Sequence, residues 1–318
     1  MSKVRIQINP NRTAGALGKG ITRQKEANEI LRNYDNFPQR LKGKKIIITG
    51  AATGIGAATA LRCAREGAIV ALFDKRFDEV EISANNIMSD GIVQHSKGMA
   101  KAFQCDVTNE EEVSNAVKDS IENFFNRIKP ETSNMLDGLF SNAGTAGIGW
   151  IHETSIEDWE FVLKVNLTGT FLMAKYCLPY MMSMENFASI VTTGSIASLV
   201  VGAGGSAASY AASKGGLLQL TKQIAVDYGK YKIRANTLCP GAVSTDLGRH
   251  ARDDREKLMS TPVTRNTNNA LPRPRVWTPM ARPSAPAEQA SVVAFLLSDD
   301  SSFMTGRPVV VDGGLLAT

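Results

Sequence analysis

Cysteine, histidine and long apolar runs are all scarce in this chain of 318 residues. The four cysteines, Cys63, Cys105, Cys177 and Cys239, are scattered and form no Cys-x-x-Cys pair, and the chain has only three histidines. A zinc site needs several such ligands at short, regular spacing. We therefore expect reduced thiols in a protein core and no metal site.

No uninterrupted apolar run approaches the roughly 18 residues that a membrane helix needs, and the N-terminus lacks the apolar core of a secretory signal. These absences argue against a transmembrane or exported protein. We expect a cytoplasmic protein without a membrane partner. Apolar residues still make up 43% of the chain and charged residues 21%, a balance that supports a packed globular core.

Positive charge is concentrated at the N-terminus. Residues 1–45 contain eleven Lys and Arg against Glu26, Glu29 and Asp35, a net charge of +8 in a chain whose total is +5. The remainder is slightly acidic, so we expect no nucleic-acid partner. We predict a polar, partly ordered arm at residues 1–41. A tether to a polyanion or anionic membrane, or a mitochondrial address, stays open for this arm.

The rest of the chain alternates short β-branched runs with longer amphipathic segments. This order predicts one α/β domain at residues 42–318, with a Rossmann-like, doubly wound, seven-stranded parallel sheet flanked by helices. The strands, apolar on both faces, are expected at 46–49, 69–74, 102–106, 139–142, 190–193, 235–238 and 309–312. Helices are expected at 57–66, 110–125, 159–182 and 210–228. A proline-rich segment at about 247–286 is predicted to form a substrate lid.

A glycine-rich loop follows the first predicted strand, with the sequence Thr49-Gly50-Ala51-Ala52-Thr53-Gly54-Ile55-Gly56. Glycines let the backbone turn tightly and approach a pyrophosphate, whose charge then meets the amide groups of the following helix. We predict a dinucleotide phosphate loop at Gly50, Thr53, Gly54, Ile55 and Gly56. The alternative is a glycine-rich turn without a ligand, although a strand before it and a helix after it are the required context.

Asp74 ends the second predicted strand, about twenty residues after the glycines. A carboxylate there accepts hydrogen bonds from the adenosine ribose hydroxyls and repels a 2′-phosphate, which favours NAD over NADP. Lys75 and Arg76 are close enough along the chain to keep NADP as an alternative.

Tyr210 and Lys214 are four residues apart in the segment Ser209-Tyr210-Ala211-Ala212-Ser213-Lys214 and thus lie on one face of a predicted helix. A tyrosine with an ordinary pKa near 10 is a poor base at neutral pH. An adjacent ammonium and an oxidised nicotinamide ring both stabilise the phenolate. Tyr210 can then exchange a proton with an alcohol.

Four motifs occur in an order and spacing that resemble the short-chain dehydrogenase/reductase family: TGAATGIG, SNAG, YAASK and PG. The resemblance extends from residue 42 to the end. It implies that Tyr210 is the general acid/base and that Lys214 lowers its pKa and holds the nicotinamide ribose. It further implies that Ser195 binds the substrate oxygen and that Asn166 supports a water-linked proton path. The loop after Ser195 is longer than usual, which leaves Ser198 as a substitute, and Asn166 is also explained as a buried structural asparagine.

The resemblance assigns further cofactor contacts to residues after the third, fourth and sixth strands: Asp106, Val107, Asn142, Gly144, Pro240, Gly241, Val243 and Thr245. The family usually has two consecutive asparagines at this point. This chain has Ser141 in place of the first asparagine and Asn142 at the position of the second. Asp106 fits equally well as the cap of the next helix.

Loops at the carboxyl ends of the strands should form the substrate pocket. Their apolar candidates are Gly147, Ile148, Gly149, Trp150, Ile151, Leu199, Val200, Val201, Trp277 and Met280. They suggest a hydrophobic alcohol or ketone. Arginines of the predicted lid suggest an anionic substrate instead: Arg249, Arg252, Arg255 and Arg265.

The combined motifs predict an NAD-dependent enzyme that transfers a hydride between nicotinamide and a secondary alcohol or ketone. An NADP-dependent ketoreductase and a nucleotide-binding or sensing protein with the same fold are the alternatives. The resemblance implies a homo-tetramer or homo-dimer packed through the long helices at about 159–182 and 210–228.

Overall fold

A computed structural model describes residues 38–147, 149–182, 187–201, 207–247, 250 and 278–317. Most of the predicted arm and most of the predicted lid lie outside these residues, as do Ile148, Trp277 and the four arginines of the lid. The division into arm, domain and lid stays a prediction.

Seven strands form a single sheet in which every neighbouring pair is parallel. They are β1 (Lys45–Thr49), β2 (Ile69–Asp74), β3 (Met99–Gln104), β4 (Gly138–Ser141), β5 (Ala188–Thr193), β6 (Ile233–Pro240) and β7 (Pro308–Val311). Their spatial order is β3-β2-β1-β4-β5-β6-β7. The predicted doubly wound α/β fold class is confirmed.

Helices connect the strands and cover both faces of the sheet. They are α1 (Gly54–Arg65), α2 (Phe77–Met88), α3 (Gly91–Ser96), α4 (Glu110–Asp119), α5 (Ile156–Leu163), α6 (Gly169–Met182), α7 (Ala208–Tyr228) and α8 (Pro286–Leu297). One core packs α4, α6 and α7 against the sheet, and the other packs α1, α2 and α8 against the opposite face. No helix among the described residues is long and apolar enough to cross a membrane.

Alternate residues of the central strands enter different cores. Ile47 belongs to the core beside α4, whereas Ile46 and Ile48 belong to the core beside α1. A strand buried on both faces favours apolar residues at every position, which explains why β1 and β2 are almost entirely apolar. β6 is also buried throughout, although it contains Arg234, Asn236 and Thr237.

The edge strands depart from the expected burial on both faces. In β3 only Phe103 is buried, and β7 has no fully buried residue. The prediction of two buried faces is therefore wrong for these two strands, because the helices cover the sheet edges incompletely. The predicted position of β3 is also shifted, since the strand begins at Met99 and ends before Cys105.

The long helix predicted over 159–182 is two helices joined by a π-helical stretch. α5 ends at Leu163, the π-helical residues are Lys164–Thr168, and α6 begins at Gly169. A π-helical stretch inserts an extra residue into the turn and often occurs at functional sites. Here the stretch carries Asn166, one of the predicted site residues.

The buried carboxylate of Glu66 joins the chain ahead of β1 to the end of α1. It accepts hydrogen bonds from Nε and Nη2 of Arg40, both at 2.7 Å, and another from Nε of Arg62. Nη1 of Arg40 also lies 3.6 Å from a carboxylate oxygen of Asp300. These donors replace the hydration that a buried carboxylate loses.

We expect Glu66→Ala to lower the free energy of unfolding by about 3 kcal/mol, because it leaves two guanidinium groups without their buried partner. Urea unfolding followed by circular dichroism measures this loss. Glu110→Ala is the matched control, since it removes an exposed ion pair with Lys175 and should cost much less. Equal losses in the two variants would contradict the role assigned to Glu66.

Candidate active site

A cleft opens at the carboxyl end of the sheet. Its walls are formed by the loops after β1, β2, β3, β4 and β6, together with Thr193 of β5 and residues from α5 and α7. The predicted site residues that line it are Gly50, Thr53, Gly54, Ile55, Asp74, Asp106, Val107, Asn142, Gly144, Tyr210, Lys214 and Thr245. The other predicted site residues support these walls and are not among the lining residues: Gly56, Asn166, Ser195, Pro240, Gly241 and Val243.

The glycine loop forms one end of the cleft. Gly50 and Gly54 have φ values of +62° and +60°, a left-handed conformation that favours glycine. A Cβ on Gly56 would collide with the carbonyl oxygen of Gly50. α1 starts within this loop with no side-chain cap from Thr53 and no acidic residue in its first turn. Its N-terminal amide groups thus suit an anion such as a pyrophosphate.

Asp74 is placed at the adjoining wall. Its carboxylate accepts hydrogen bonds from the backbone N–H groups of Ala52, at 3.2 Å, and Arg76, at 3.1 Å. Nε of Arg76 lies 3.7 Å from this carboxylate and 3.6 Å from that of Glu79, and it has no hydrogen-bond partner although it is buried. This end of the cleft therefore presents both a carboxylate and a guanidinium.

Asn142 ties three strand ends together. Its Nδ2 donates to the carbonyl oxygens of Thr49 (3.1 Å) and Gly50 (3.2 Å), and its Oδ1 accepts from the Thr193 hydroxyl (3.0 Å). A single asparagine thus connects β1, β4 and β5, although Ser141 occupies the preceding position. The side chain acts on the cleft by fixing the loop that lines it.

Lys214 lies buried in the middle of the cleft. Its Nζ donates to the Thr193 carbonyl at 2.6 Å and lies 5.7 Å from the centre of the Tyr210 ring. Burial lowers the pKa of Lys214 to about 8, because a buried ammonium loses its hydration. Two further N–H groups of the protonated amine stay available for a ligand.

Tyr210 is one helical turn before Lys214 on α7. Burial is the largest influence on its phenol and raises the pKa of Tyr210, while a hydrogen bond from Ser195 lowers it. This direction is opposite to the one expected from the charge of Lys214. The Lys214 ammonium lies 5.7 Å from the centre of the ring, and burial outweighs its effect on the phenol, so additional positive charge nearby would favour the phenolate.

Ser195 and Ser198 have different surroundings. The Ser195 hydroxyl accepts from the Ala197 N–H at 3.1 Å and contacts the Tyr210 phenol. The Ser198 hydroxyl accepts from the Ser195 N–H at 3.1 Å and lies beside the Cys239 thiol. Only Ser195 therefore contacts the tyrosine, which favours it over Ser198 as the serine of the site.

Asn166 lies beneath the cleft and is fully buried. Its Oδ1 accepts from the Thr145 N–H at 2.8 Å, and its Nδ2 donates to the Thr145 carbonyl (3.0 Å) and to the Ser213 hydroxyl (2.9 Å). Ser213 donates in turn to the Tyr210 carbonyl at 2.7 Å. This geometry matches the structural interpretation of Asn166, and the proton path stays a prediction.

The loops after β3 and β6 complete the walls. Asp106 accepts from the Thr108 N–H at 2.9 Å, so it caps its own turn while facing the cleft. After β6, a Cβ on Gly241 would lie 2.8 Å from Cα of Asp312, and Val243 pairs with Ser284. Thr245 packs against the glycine loop, since a Cβ on Gly54 would lie 3.3 Å from its methyl group.

Several lining residues were not predicted from the sequence. They are Cys105, Thr108, Ala143, Thr145, Phe161, Val165, Thr193, Leu247 and His250. Phe161 and Val165 are four residues apart, just before Asn166, and this helical spacing was a usable signal. The position of His250 had no comparable signal, because it depends on how the chain turns after β6.

The apolar residues predicted to form the substrate pocket are largely exposed. Ile151, Val200, Val201 and Met280 are 78%, 47%, 81% and 59% exposed. None of them lines the cleft described above. They lie on the loops around it, at the same end of the sheet.

Both the sequence and the fold of this chain are similar to those of known proteins. The family model described as enoyl-(acyl carrier protein) reductase matches residues 50–316. The chain is 37% identical over 279 residues to an uncharacterized oxidoreductase, YxbG, of Bacillus subtilis, covering 87% of this chain and 93% of the relative. It is 36% identical over 279 residues to 2-(S)-hydroxypropyl-CoM dehydrogenase 3 of Xanthobacter autotrophicus, covering 87% and 98%. The crystal structure of a short-chain type dehydrogenase/reductase from Mycobacterium marinum matches with a TM-score of 0.71 at 28% identity, covering 88% of this chain and 98% of that chain.

The burial of Lys214 predicts a stability change that depends on pH. We expect Lys214→Met to raise the free energy of unfolding at pH 7 by roughly 2 kcal/mol, because the folded chain no longer holds a buried ammonium. The pKa of Lys214 is about 8 in the folded chain and 10.5 ordinarily. Between these two pH values Lys214 is protonated in the unfolded wild type and mostly neutral in the folded wild type. The free energy of unfolding of the wild type therefore rises with pH, and the stability advantage of Lys214→Met shrinks.

Urea unfolding of the cofactor-free protein at pH 7 and pH 10 measures this change. Lys230→Met, at an exposed lysine, is the control and should produce no such pH-dependent gain. An equal gain for Lys214→Met at both pH values would refute the assignment.

Proposed function

Because the chain belongs to the short-chain dehydrogenase/reductase family, we propose that it catalyses reversible hydride transfer between NAD and a secondary alcohol or ketone. The observation that carries this proposal is the placement of Tyr210, Lys214 and Ser195 together at a cleft that also contains the glycine loop. The substrate in the name of one relative, 2-(S)-hydroxypropyl-CoM dehydrogenase 3, has its hydroxyl on a secondary carbon, which supports the same class of substrate for this chain.

The chain has the features that a dinucleotide requires. A side chain at Gly56 would collide with the Gly50 carbonyl, so glycine is needed for the loop to close, and the start of α1 has no side-chain cap on its amide groups. We propose that Gly50, Thr53, Gly54, Ile55, Gly56 and Thr245 hold the pyrophosphate, that Asp74, Asp106 and Val107 hold the adenosine end, and that Asn142, Gly144, Pro240, Gly241 and Val243 position the nicotinamide end. When bound, NAD supplies the hydride acceptor for alcohol oxidation.

Tyr210 acts as the acid/base in this proposal. In the oxidation direction its phenolate accepts the hydroxyl proton of the alcohol, and in the reduction direction its phenol donates that proton to the carbonyl oxygen. Lys214 supplies positive charge and directs its two remaining N–H groups to the nicotinamide ribose. The raised pKa of Tyr210 in the chain alone is consistent with a base that works only when further positive charge is bound.

Ser195 is suited to stabilise the substrate oxygen. Its hydroxyl oxygen accepts the Ala197 N–H, and its O–H, which points to the Tyr210 phenol in the chain alone, would donate to a substrate oxygen placed between the two side chains. A fixed donor aimed at an oxygen that gains negative charge lowers the barrier. Asn166 supports the site by holding Thr145 and, through Ser213, the first turns of α7.

NAD is proposed over NADP because Asp74 is a carboxylate at the adenosine end, 5% exposed and held by two backbone N–H groups. It repels a 2′-phosphate. Lys75 and Arg76, which both line the cleft, are the residues that would favour NADP, and Arg76 is shared between the carboxylates of Asp74 and Glu79.

The apolar loops around the cleft support a hydrophobic substrate. Val200, Val201 and Met280 are exposed apolar residues of loops at the same end of the sheet, and we propose that they contact the apolar part of the substrate. We further propose a cytoplasmic homo-dimer or homo-tetramer packed through α6 and α7, where Phe171 and Val226 are 49% and 77% exposed.

We expect Tyr210→Phe to lower kcat at least 100-fold while NAD still binds, because the variant keeps the ring and loses the exchangeable proton. NADH formation and consumption are measured with secondary alcohols and ketones of increasing apolar size. NAD affinity is measured separately by fluorescence. Full activity in Tyr210→Phe would contradict the mechanism, and NAD binding without turnover by wild type would favour a nucleotide-sensing protein.

We expect Asp74→Asn to raise the ratio of kcat/KM with NADP to kcat/KM with NAD by about 10-fold or more, because it removes the charge that repels the 2′-phosphate. Asp78→Asn, at an exposed acid on α2, is the control and should leave the ratio nearly unchanged. A wild-type preference for NADP would overturn the choice of cofactor.

A further inference from the structure

The turn that carries Ser195 lies against α7 and β6, but the loop beyond it is exposed. Ser195 follows β5 and precedes a single 3₁₀ turn, Ile196–Ser198. Beyond it, Leu199, Val200 and Val201 are 41%, 47% and 81% exposed. Packing farther along the loop thus contributes little to holding Ser195 against Tyr210.

Ser198 supplies hydrogen bonds at the end of this turn. Its hydroxyl accepts the N–H of Ser195 at 3.1 Å, and its own N–H donates to the Ser195 carbonyl at 2.9 Å. Both backbone groups of Ser195 are therefore bound by one residue. The Ser195 hydroxyl also accepts the Ala197 N–H, so hydrogen bonds to both the backbone and the side chain of Ser195 hold this turn.

The Ser198 hydroxyl lies between the end of β5 and the end of β6. A Cβ on Gly194 would lie 2.9 Å from this hydroxyl and also collide with the methyl group of Thr237. On the other side, the hydroxyl contacts the thiol of Cys239, which is fully buried at the end of β6. Ser198 thus connects the serine turn to the strand that borders it.

We propose that Ser198 is a positioning residue that holds the Ser195 hydroxyl at Tyr210 by binding the Ser195 backbone and bracing the turn against β6. This inference rests on the proposed dehydrogenase function. Ser198 does not act on the substrate itself, since its hydroxyl accepts the Ser195 N–H and faces Cys239.

The chain offers a matched control. Ser301 is the third residue of another three-residue 3₁₀ turn, Asp299–Ser301, and is buried, although Asp299 and Asp300 beside it are exposed. Its hydroxyl donates to the carbonyl oxygens of Leu296 and Ser298, at the opposite end of β6 from Cys239. Ser301→Ala therefore removes a comparable hydroxyl without reaching the cleft.

The experiment compares wild type, Ser198→Ala, Ser198→Thr, Ser195→Ala, the double variant and Ser301→Ala. The kcat, the substrate KM, the NAD affinity and the pH profile of kcat are measured for each, together with the thermal midpoint. We expect Ser198→Ala to lower kcat by roughly 10-fold or more, because a small displacement of a catalytic group is costly. KM and NAD affinity should change less than about 3-fold, and Ser198→Thr should restore most of kcat.

The pH profile and the double variant separate positioning from a general structural role. Loosening Ser195 removes a hydrogen bond that favours the phenolate, so the rise of alcohol oxidation with pH should shift to higher pH in Ser198→Ala. The titratable groups that face Tyr210 within the described chain, Lys214 and Cys239, are unchanged in this variant. If Ser198 acts through Ser195, adding Ser198→Ala to Ser195→Ala should cause no further loss of kcat.

The proposal is overturned if Ser198→Ala keeps the wild-type kcat and pH profile, if the two serine variants are additive, or if Ser301→Ala lowers kcat equally. It is supported if, among the single alanine variants, only Ser198→Ala and Ser195→Ala shift the pH profile of kcat, and if Ser198→Thr keeps most of the wild-type activity. If the wild type is inactive on every secondary alcohol and ketone tested, the proposed dehydrogenase function is contradicted instead. This outcome distinguishes a failure of the proposed function from a failure of the Ser198 proposal.

Discussion

Parallel pairing of β1, β4 and β5 is the constraint on which the site depends. Ile48 is opposite Phe140, and Ser141 is opposite Thr192, so three strands end at nearly the same level. Three loops that are far apart in the sequence therefore leave the sheet side by side. The Asn142 side chain then ties these ends together, which leaves the glycine loop, the Lys214 partner Thr193 and the Ser195 turn in one cleft.

The cleft contains buried polar groups whose hydrogen bonds are incomplete. Lys214 is 3% exposed and has one hydrogen bond, to the carbonyl of Thr193. Arg76 and Thr145 each have a buried polar atom without a hydrogen-bond partner. Such groups cost stability unless a ligand or water satisfies them. The rest of the fold offsets this cost with fully paired groups such as Glu66, placed away from the cleft.

Local patterns predicted the parts of the site that depend on neighbours in sequence. The four-residue spacing of Tyr210 and Lys214 places them on one face of α7, and the glycine pattern matches backbone conformations that only glycine adopts easily. The sequence predicted the structure less well where contacts between distant segments determine the local conformation. The π-helical stretch around Asn166 looks like ordinary helix in the sequence, and the polar edge strand β3 begins before its predicted start. The burial that raises the pKa of Tyr210 in the chain alone was not predicted either, because burial is a property of the folded chain.

The sequence by itself determined the order of strands and helices, the glycine loop and the identity of the proposed catalytic side chains, because each depends on spacing within a few residues. Only the tertiary structure decided which of two nearby serines contacts Tyr210, how Asn166 is bound and where Arg76 finds its carboxylates. These outcomes depend on side chains from different loops meeting at one edge of the sheet. A one-dimensional pattern contains no information about such distances, since hydrogen bonds and burial arise only when the strands are paired.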